Sequence, residues 1–267
     1  MRVLLTVAYD GTSLAGWQRQ VGQDTVQEHL ENAFATLCGG RVCVEGAGRT
    51  DAGVHALRQC AHVDLPRPWR MQDLVRAVNA HLPAAVAVRA ARPVPASFHA
   101  RFSAAGKRYV YRFLTGPERP VHLRGFFAWS WRPLDVAAMR AGAAHLVGEH
   151  DFASFATNPG YPRKHGTVRR IDHLHVVRHR RGVDVAVQGN GFLYNMVRTI
   201  AGCLRDVGLG RRPAADLAAI LAARDRRAAS ATLGPQGLFL TRVLYPSEAL
   251  VGGVESPGSG ADECYDE

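Results

Sequence analysis

The sequence predicts an α+β fold built on a largely antiparallel sheet. Strand-like and helix-like stretches are interspersed without a regular βαβ period. Residues 107–114 alternate strictly, with Lys107, Tyr109, Tyr111 and Phe113 on one face and Arg108, Val110, Arg112 and Leu114 on the other. Val26, Leu30, Ala33, Phe34 and Leu37 recur at helical spacing. The 267 residues suffice for one large domain or two ordinary ones sharing an interface. The elements group into an N-terminal half over 1–105, a C-terminal half over 106–246 and a tail over 247–267. Each half reads as a small strand–helix unit, without a strong repeat between them.

Residues 2–9 read as a strand ending at the turn signal Asp10-Gly11. Asp24 or Thr25 can cap the first helix, and Gly39-Gly40 stops it. A strand over 41–47 leads into a glycine-rich loop. Gln59 to Leu65 alternates as the next strand, with Ala61, Val63 and Leu65 on one face, and Pro66-Arg67-Pro68 closes it. Met71 to Ala80 looks helical, and a strand follows at 86–92. In the second half, helices are predicted over 134–146, 192–207 and 213–223, and strands over 168–177, 183–189 and 237–244. From Ser247 onward Gly, Ser, Pro and acidic residues predict a disordered tail.

The composition, 47% hydrophobic and 21% charged, is that of a globular protein. No apolar run approaches the roughly 20 residues of a membrane span, and the amino terminus has no signal-peptide pattern, so the cytoplasm is the expected location. The five cysteines form no C-x-x-C pair and no zinc-ribbon spacing. Free, mostly buried thiols are expected, and strand alternation explains Cys60 and His62 near His55 more simply than a metal site. The formal net charge is +10, but no basic residue follows Arg242, and the last six acidic residues all do. Residues 1–247 therefore set 33 basic side chains against 17 acidic ones, a balance of +16. Such a body suits a polyanion such as RNA or DNA. Arginine bias in a GC-rich genome would also contribute, since Lys107 and Lys164 are the only lysines.

The segment Glu45-Gly46-Ala47-Gly48-Arg49-Thr50-Asp51-Ala52-Gly53-Val54-His55 places one Arg-Thr-Asp among glycines that let the backbone turn and approach a ligand. On the residues alone, Asp51 or Thr50 could simply bond neighbouring amides in a turn. The Lys-Ser/Thr ending of a phosphate loop is missing, and no G-x-S-x-G or H-E-x-x-H motif proposes hydrolysis. Other motifs accompany the loop in order: Tyr9-Asp10-Gly11, Gly16-Trp17-Gln18-Arg19-Gln20, Thr25-Val26-Gln27-Glu28, Asn79-Ala80-His81-Leu82-Pro83, Phe98-His99-Ala100-Arg101-Phe102-Ser103-Ala104, Lys107 to Arg112, Gly148 to Phe155, Gly191-Phe192-Leu193-Tyr194-Asn195-Met196-Val197-Arg198 and Gly237-Leu238-Phe239-Leu240. Together they resemble the tRNA pseudouridine synthase A family over roughly residues 3–246. Arg58 stands where the family commonly has glycine, Thr199 where asparagine is usual, and Thr157 to His165 match poorly.

The resemblance implies a pseudouridine-synthase-like fold of two similar halves flanked by helices, with an active-site cleft between them. It implies isomerisation of uridine at tRNA positions 38, 39 and 40 by a homodimer, one tRNA reaching across both subunits. Neither cofactor nor metal is needed. Asp51 becomes the catalytic carboxylate, attacking sugar or base or removing a sugar proton. Arg198 becomes its ion-pair partner. On a helix with Tyr194, Leu193, Met196, Val197 and Ile200, that arginine either snorkels or is paired. Tyr109 stacks on the uracil and can help deprotonate C5, and Leu193 packs under the base; the alternation of the strand itself would suit a core tyrosine, and Tyr111 is the choice for that structural part. Arg49 and Arg101 hold the flipped nucleotide. Arg19, Lys107, Arg108, Arg163, Lys164, Arg169 and Arg170 are candidates for the RNA backbone. A pseudouridine synthase with another RNA target, and a non-catalytic tRNA-binding or folding protein on the same scaffold, are the alternatives.

Overall fold

A computed structural model describes residues 1–158, 160 and 166–251. Arg163 and Lys164 lie outside the described residues, as does the tail from 252. The chain forms two compact units, Met1–Ala105 joined by the chain from Arg242, and Gly106–Thr241.

In the first unit the elements run β1 (Arg2–Tyr9), α1 (Val26–Cys38), β2 (Val44–Gly46), β3 (His55–Asp64), α2 (Met71–Asn79) and β4 (Val86–Pro93). β1 is central, antiparallel to β3 on one side (Leu5 opposite Ala61) and to β4 on the other (Leu5 opposite Ala91). Its buried Val3, Leu5 and Val7 are the alternating apolar set that made it a strand. α1 buries Val26, Leu30, Ala33 and Phe34 and ends as expected at Gly39, whose φ of +73° lets its N–H return to the Ala35 carbonyl (3.0 Å). Asn79, at the end of α2, brackets Val88 of β4 with two 2.8 Å hydrogen bonds, one to each backbone polar group. That amide docks the helix on the sheet edge.

Two strands differ from expectation. β2 keeps three of the seven predicted residues. β3 begins at His55 rather than Gln59, so Arg58 is an exposed strand residue and not part of a loop. Both faces of β3 are covered: Cys60 and His62 are buried as well as Ala61 and Val63. Cys38, Cys60 and Cys203 are free thiols, as expected, whereas Cys43 is disulfide-bonded.

The second unit contains β5 (Gly106–Thr115), β6 (Ala128–Ser130), α3 (Val136–Ala144), β7 (Gly148–Asp151), β8 (Val168–His179), β9 (Gly182–Gly189), α4 (Met196–Gly208) and α5 (Asp216–Ala223). β5, β9, β8 and β7 pair antiparallel in that order, and the short β6 runs parallel to β5. The alternation read in β5 is present: Tyr109, Tyr111 and Phe113 are buried, while Arg108 is exposed. β10 (Leu238–Leu244) returns the chain across the boundary at residue 241, and α6 (Ser247–Leu250) is one turn where disorder was expected. Its Leu250 carbonyl accepts from Arg92 (3.0 Å).

The helix predicted over 192–207 begins at Met196. Asn195 sits at φ +62°, in the left-handed region, so the residues before it cannot continue the helix. Leu193 and Tyr194 therefore belong to the approach, not to the helix that carries Arg198. Thr199, the departure from the family pattern, is fully buried with its hydroxyl 2.9 Å from that of Thr232. No helix among the described residues is long and apolar enough to cross a membrane.

His62 makes the first unit sensitive to acid. Its ring is 4% exposed. Burial first, and the Arg2 charge next, push its pKa down to about 4. An unfolded histidine titrates near about 6.5, so between those values the unfolded chain binds more protons and stability falls as pH falls. The full effect is on the order of 3 kcal/mol. Urea unfolding of His62→Gln at pH 7 and at pH 4 is expected to show a smaller acid loss than the parent; equal losses would show that His62 is not the sensor.

Candidate active site

The Asp51 loop is built on the segment that follows β1. Tyr9, the last residue of β1, is buried, and its hydroxyl lies 2.7 Å from the Thr50 hydroxyl. Burial raises the Tyr9 pKa well above the ordinary phenol value, so it stays a neutral hydrogen-bonding group. The Trp17 N–H donates to the Thr50 carbonyl (3.0 Å), and the Gly53 N–H to the Leu14 carbonyl (3.2 Å). From the other side, buried Gln59 donates through Nε2 to the Gly48 carbonyl (2.9 Å), and the Ala47 N–H reaches the Cys60 carbonyl (2.7 Å). A turn from Asp51 to Val54 closes the loop with a 3.1 Å bond, and Gly53 takes φ +75° at the third position, where a type II turn needs glycine.

Two glycines permit the approach. A Cβ on Gly11 would lie 2.1 Å from the Val54 carbonyl oxygen. One on Gly16, which has φ +103°, would lie 2.5 Å from that of Thr50 and 3.1 Å from the Asp51 carbonyl carbon. Neither contact admits a side chain. The Gly11 N–H also donates to His55 Nδ1 (3.0 Å), which requires a bare ring nitrogen. The 3.2 Å approach of Asp10 Oδ1 to that same atom is thus a close contact and not an ion pair. The loop leaves Arg49 exposed, Thr50 buried against Tyr9, and Asp51 half-buried.

Arg101 lies in the same unit, exposed on the turn that carries Phe102. Beside it, Glu45, His62 and His99 bring potential ligand atoms within 4.8 Å of one another. Their hydrogen bonds define a different role. The Ala100 N–H donates to His62 Nδ1 (3.3 Å), and the Arg101 and Phe102 N–H groups to His99 Nδ1 (3.1 and 3.3 Å). Each neutral ring then carries its proton on Nε2, and His99 donates it to Glu45 (2.9 Å). A cation would have to displace both Nε2 protons, so the trio is built as a hydrogen-bonded support.

In the second unit, Tyr109 is 9% exposed on β5, edge-on to Phe192 (centroids 5.2 Å, planes 85°). Leu193 is buried beside Phe192 in sequence. Tyr111 is fully buried and donates to the Gly234 carbonyl (2.8 Å), matching its expected structural part. Arg198, half-buried at the start of α4, donates Nε to the Leu233 carbonyl and Nη1 to Asn195 Oδ1, both at 2.7 Å. Asn195 Nδ2 in turn donates to Thr157 Oγ1 (3.1 Å). Sequence reading missed Asn195, Tyr9 and Gln59 as supports. Their only signal was presence in, or next to, a motif.

The backbone candidates differ in their surroundings. Arg19 pairs with Glu31 (3.2 Å) and Arg170 with Asp172 (2.8 Å), so both charges are partly neutralised. Arg108 lies along the neutral Gln188 amide (3.0 and 2.7 Å) and remains exposed. Arg169 donates to the Val168 carbonyl (2.6 Å), and Lys107 is half-buried on β5.

A family profile described as tRNA pseudouridine synthase matches residues 5–103 and 143–246. The chain belongs to the tRNA pseudouridine synthase family. Among relatives named tRNA pseudouridine synthase A, that of Bordetella petrii is 43% identical over 261 residues, covering 97% of this chain and 96% of its own. That of Pseudomonas aeruginosa is 44% identical over 248 residues, covering 92% and 86%. Both stretches of the profile fall on described motifs: the first contains the Asp51 loop with its Tyr9–Trp17 floor, the second the Asn195–Arg198 seat. This tRNA pseudouridine synthase is therefore an isomerase, and tRNA is its expected substrate.

Two substitutions test the supports. Tyr9→Phe removes the hydroxyl from Thr50 and is expected to cost about 1 kcal/mol in urea unfolding. Asn195→Ala frees one side of the Arg198 guanidinium and is expected to lower kcat about tenfold or more with KM for tRNA within about threefold. An unchanged kcat would remove Asn195 from the site.

Proposed function

We propose that this synthase converts uridine to pseudouridine at positions 38, 39 and 40 in the anticodon stem-loop of tRNA, with Asp51 as the catalytic carboxylate and no cofactor. The observation that carries the reading is Asp51 itself: a half-buried carboxylate on a loop tied down from both sides, flanked by an exposed arginine. A fixed, partly dry carboxylate is what attack or proton abstraction at a nucleotide needs.

The reaction breaks the bond from ribose C1′ to uracil N1 and joins C1′ to C5. The C5 proton leaves and N1 gains one, so there is no net redox change or hydrolysis, and side chains can supply every group. The target nucleotide is flipped out of its stack to reach the loop. Arg49 and Arg101 hold it and its phosphate. Tyr109 stacks on the uracil and assists proton transfer at C5, with Leu193 beneath the base. Arg198 pairs with Asp51 and keeps it ionised. The hydrogen bonds to Leu233 and Asn195 support that role, because they fix the guanidinium. Lys107, Arg108, Arg169 and Arg170, with Arg19, Arg163 and Lys164, follow the RNA backbone. The enzyme acts in the cytoplasm as a homodimer.

Incubation with unmodified tRNA, followed by pseudouridine mapping, tests the substrate. Modification at 38, 39 or 40 is expected. Modification confined elsewhere would favour another RNA target, and none at all would favour a binding or folding protein on this scaffold. Asp51→Asn is expected to reduce turnover by at least about a thousandfold while tRNA affinity stays within about threefold; substantial turnover would remove Asp51 from the chemistry.

A further inference from the structure

The turn over residues 98–103 is pinned at nearly every polar group, yet it holds one large apolar ring in water. Phe98 is buried against Tyr245 (centroids 5.1 Å), whose hydroxyl donates to the Ala100 carbonyl (2.7 Å). The Ala100 N–H is bonded to His62, and the Arg101 and Phe102 N–H groups to His99. The His99 N–H reaches the Ser103 hydroxyl (3.1 Å), and the Ser103 N–H returns to the His99 carbonyl (2.9 Å). His99 itself is bonded to Glu45 and lies against His62 (centroids 4.7 Å). On this support Phe102 is 76% exposed. His99 backs it at 4.3 Å between centroids with planes 37° apart, and the Arg101 guanidinium lies 5.6 Å from its ring centre.

We propose that Phe102 is a nucleobase-stacking platform: an unpaired base of the tRNA substrate stacks on its exposed ring surface while Arg101 neutralises the adjoining phosphate. This rests on the tRNA reading above and adds a contact that reading does not contain. The hydrogen bonds that hold the turn also fix the backbone from which this ring projects, and the ring is left 76% exposed. Its neighbours specify the occupant. An exposed flat ring in contact with an imidazole, with a guanidinium over it at 5.6 Å, suits a planar π-system carrying negative charge, which is an unstacked nucleotide. An apolar peptide partner would leave the Arg101 charge without a counterpart, and the body of the chain carries +16 over residues 1–247.

The test is a series at position 102 in the full-length enzyme, read as tRNA Kd, KM and kcat, with sedimentation of the RNA-free protein. Phe102→Ala is expected to raise Kd and KM about tenfold with kcat within about twofold. Phe102→Trp and Phe102→Tyr are expected to stay within about threefold of the parent, while Phe102→Leu resembles Phe102→Ala. Full rescue by leucine would reduce the contact to an apolar one and overturn the stacking. So would an unchanged Kd for Phe102→Ala, or a changed sedimentation coefficient, which would assign the ring to another copy of the chain. Parent enzyme that binds tRNA but makes no pseudouridine would break the functional reading, while the Kd series would still decide the stacking.

Discussion

The close passage of residues 9–17 beneath the Asp51 loop is the constraint on which the site depends. Backbone meets backbone at Gly11 and Gly16, at distances a Cβ would forbid. That proximity allows Trp17 and Gly53 to complete the loop's hydrogen bonds and brings the Tyr9 hydroxyl to Thr50. β3 supplies the other wall through Gln59 and Cys60. A loop with three glycines would otherwise be mobile. Here its polar groups are divided between two strands and the segment linking β1 to α1, so the carboxylate is placed before substrate arrives. In the proposed reaction such preorganisation removes an ordering cost.

The same economy recurs at Arg198. Its guanidinium is aimed by a carbonyl and by an asparagine whose own backbone is held left-handed, a conformation that costs about 1 kcal/mol or more outside glycine. The cost is offset because Asn195 does two things: it ends the approach segment and orients the arginine on the first turn of α4. In both units the groups proposed for the chemistry are held by hydrogen bonds from neighbouring residues of the same unit.

Much of the frame was legible because its periodicity is local. The alternation in β5 and the spacing in α1 report burial directly, and Gly39 marks its helix end. β7 was missed because Gly148-Glu149-His150-Asp151 carries no apolar alternation; its place comes from pairing with β8. The start of α4 was set four residues early because the spacing of Phe192 and Leu193 continues the helical pattern, and nothing local reveals the φ of Asn195. The proposal for Asp51 comes only from the ordered motifs, since an Asp in a glycine-rich turn is commonplace. Asp10-Gly11 read as a turn and as part of an opening motif. The need for glycine at 11 and 16 arises from residues some 34–43 positions away, which no local pattern can show.

The most direct measurement is single-turnover pseudouridine formation by Gly16→Ala, with tRNA affinity measured in parallel. The methyl group would meet the Thr50 carbonyl from a backbone at φ +103°, so the loop with Asp51 and its neighbour Arg49 must shift, while the arginines proposed for the RNA backbone outside this loop stay in place. The account predicts a rate reduced about a hundredfold or more at nearly unchanged Kd, since a displacement of about 1 Å at a reacting group costs this much. A near-normal rate in a folded variant would contradict it.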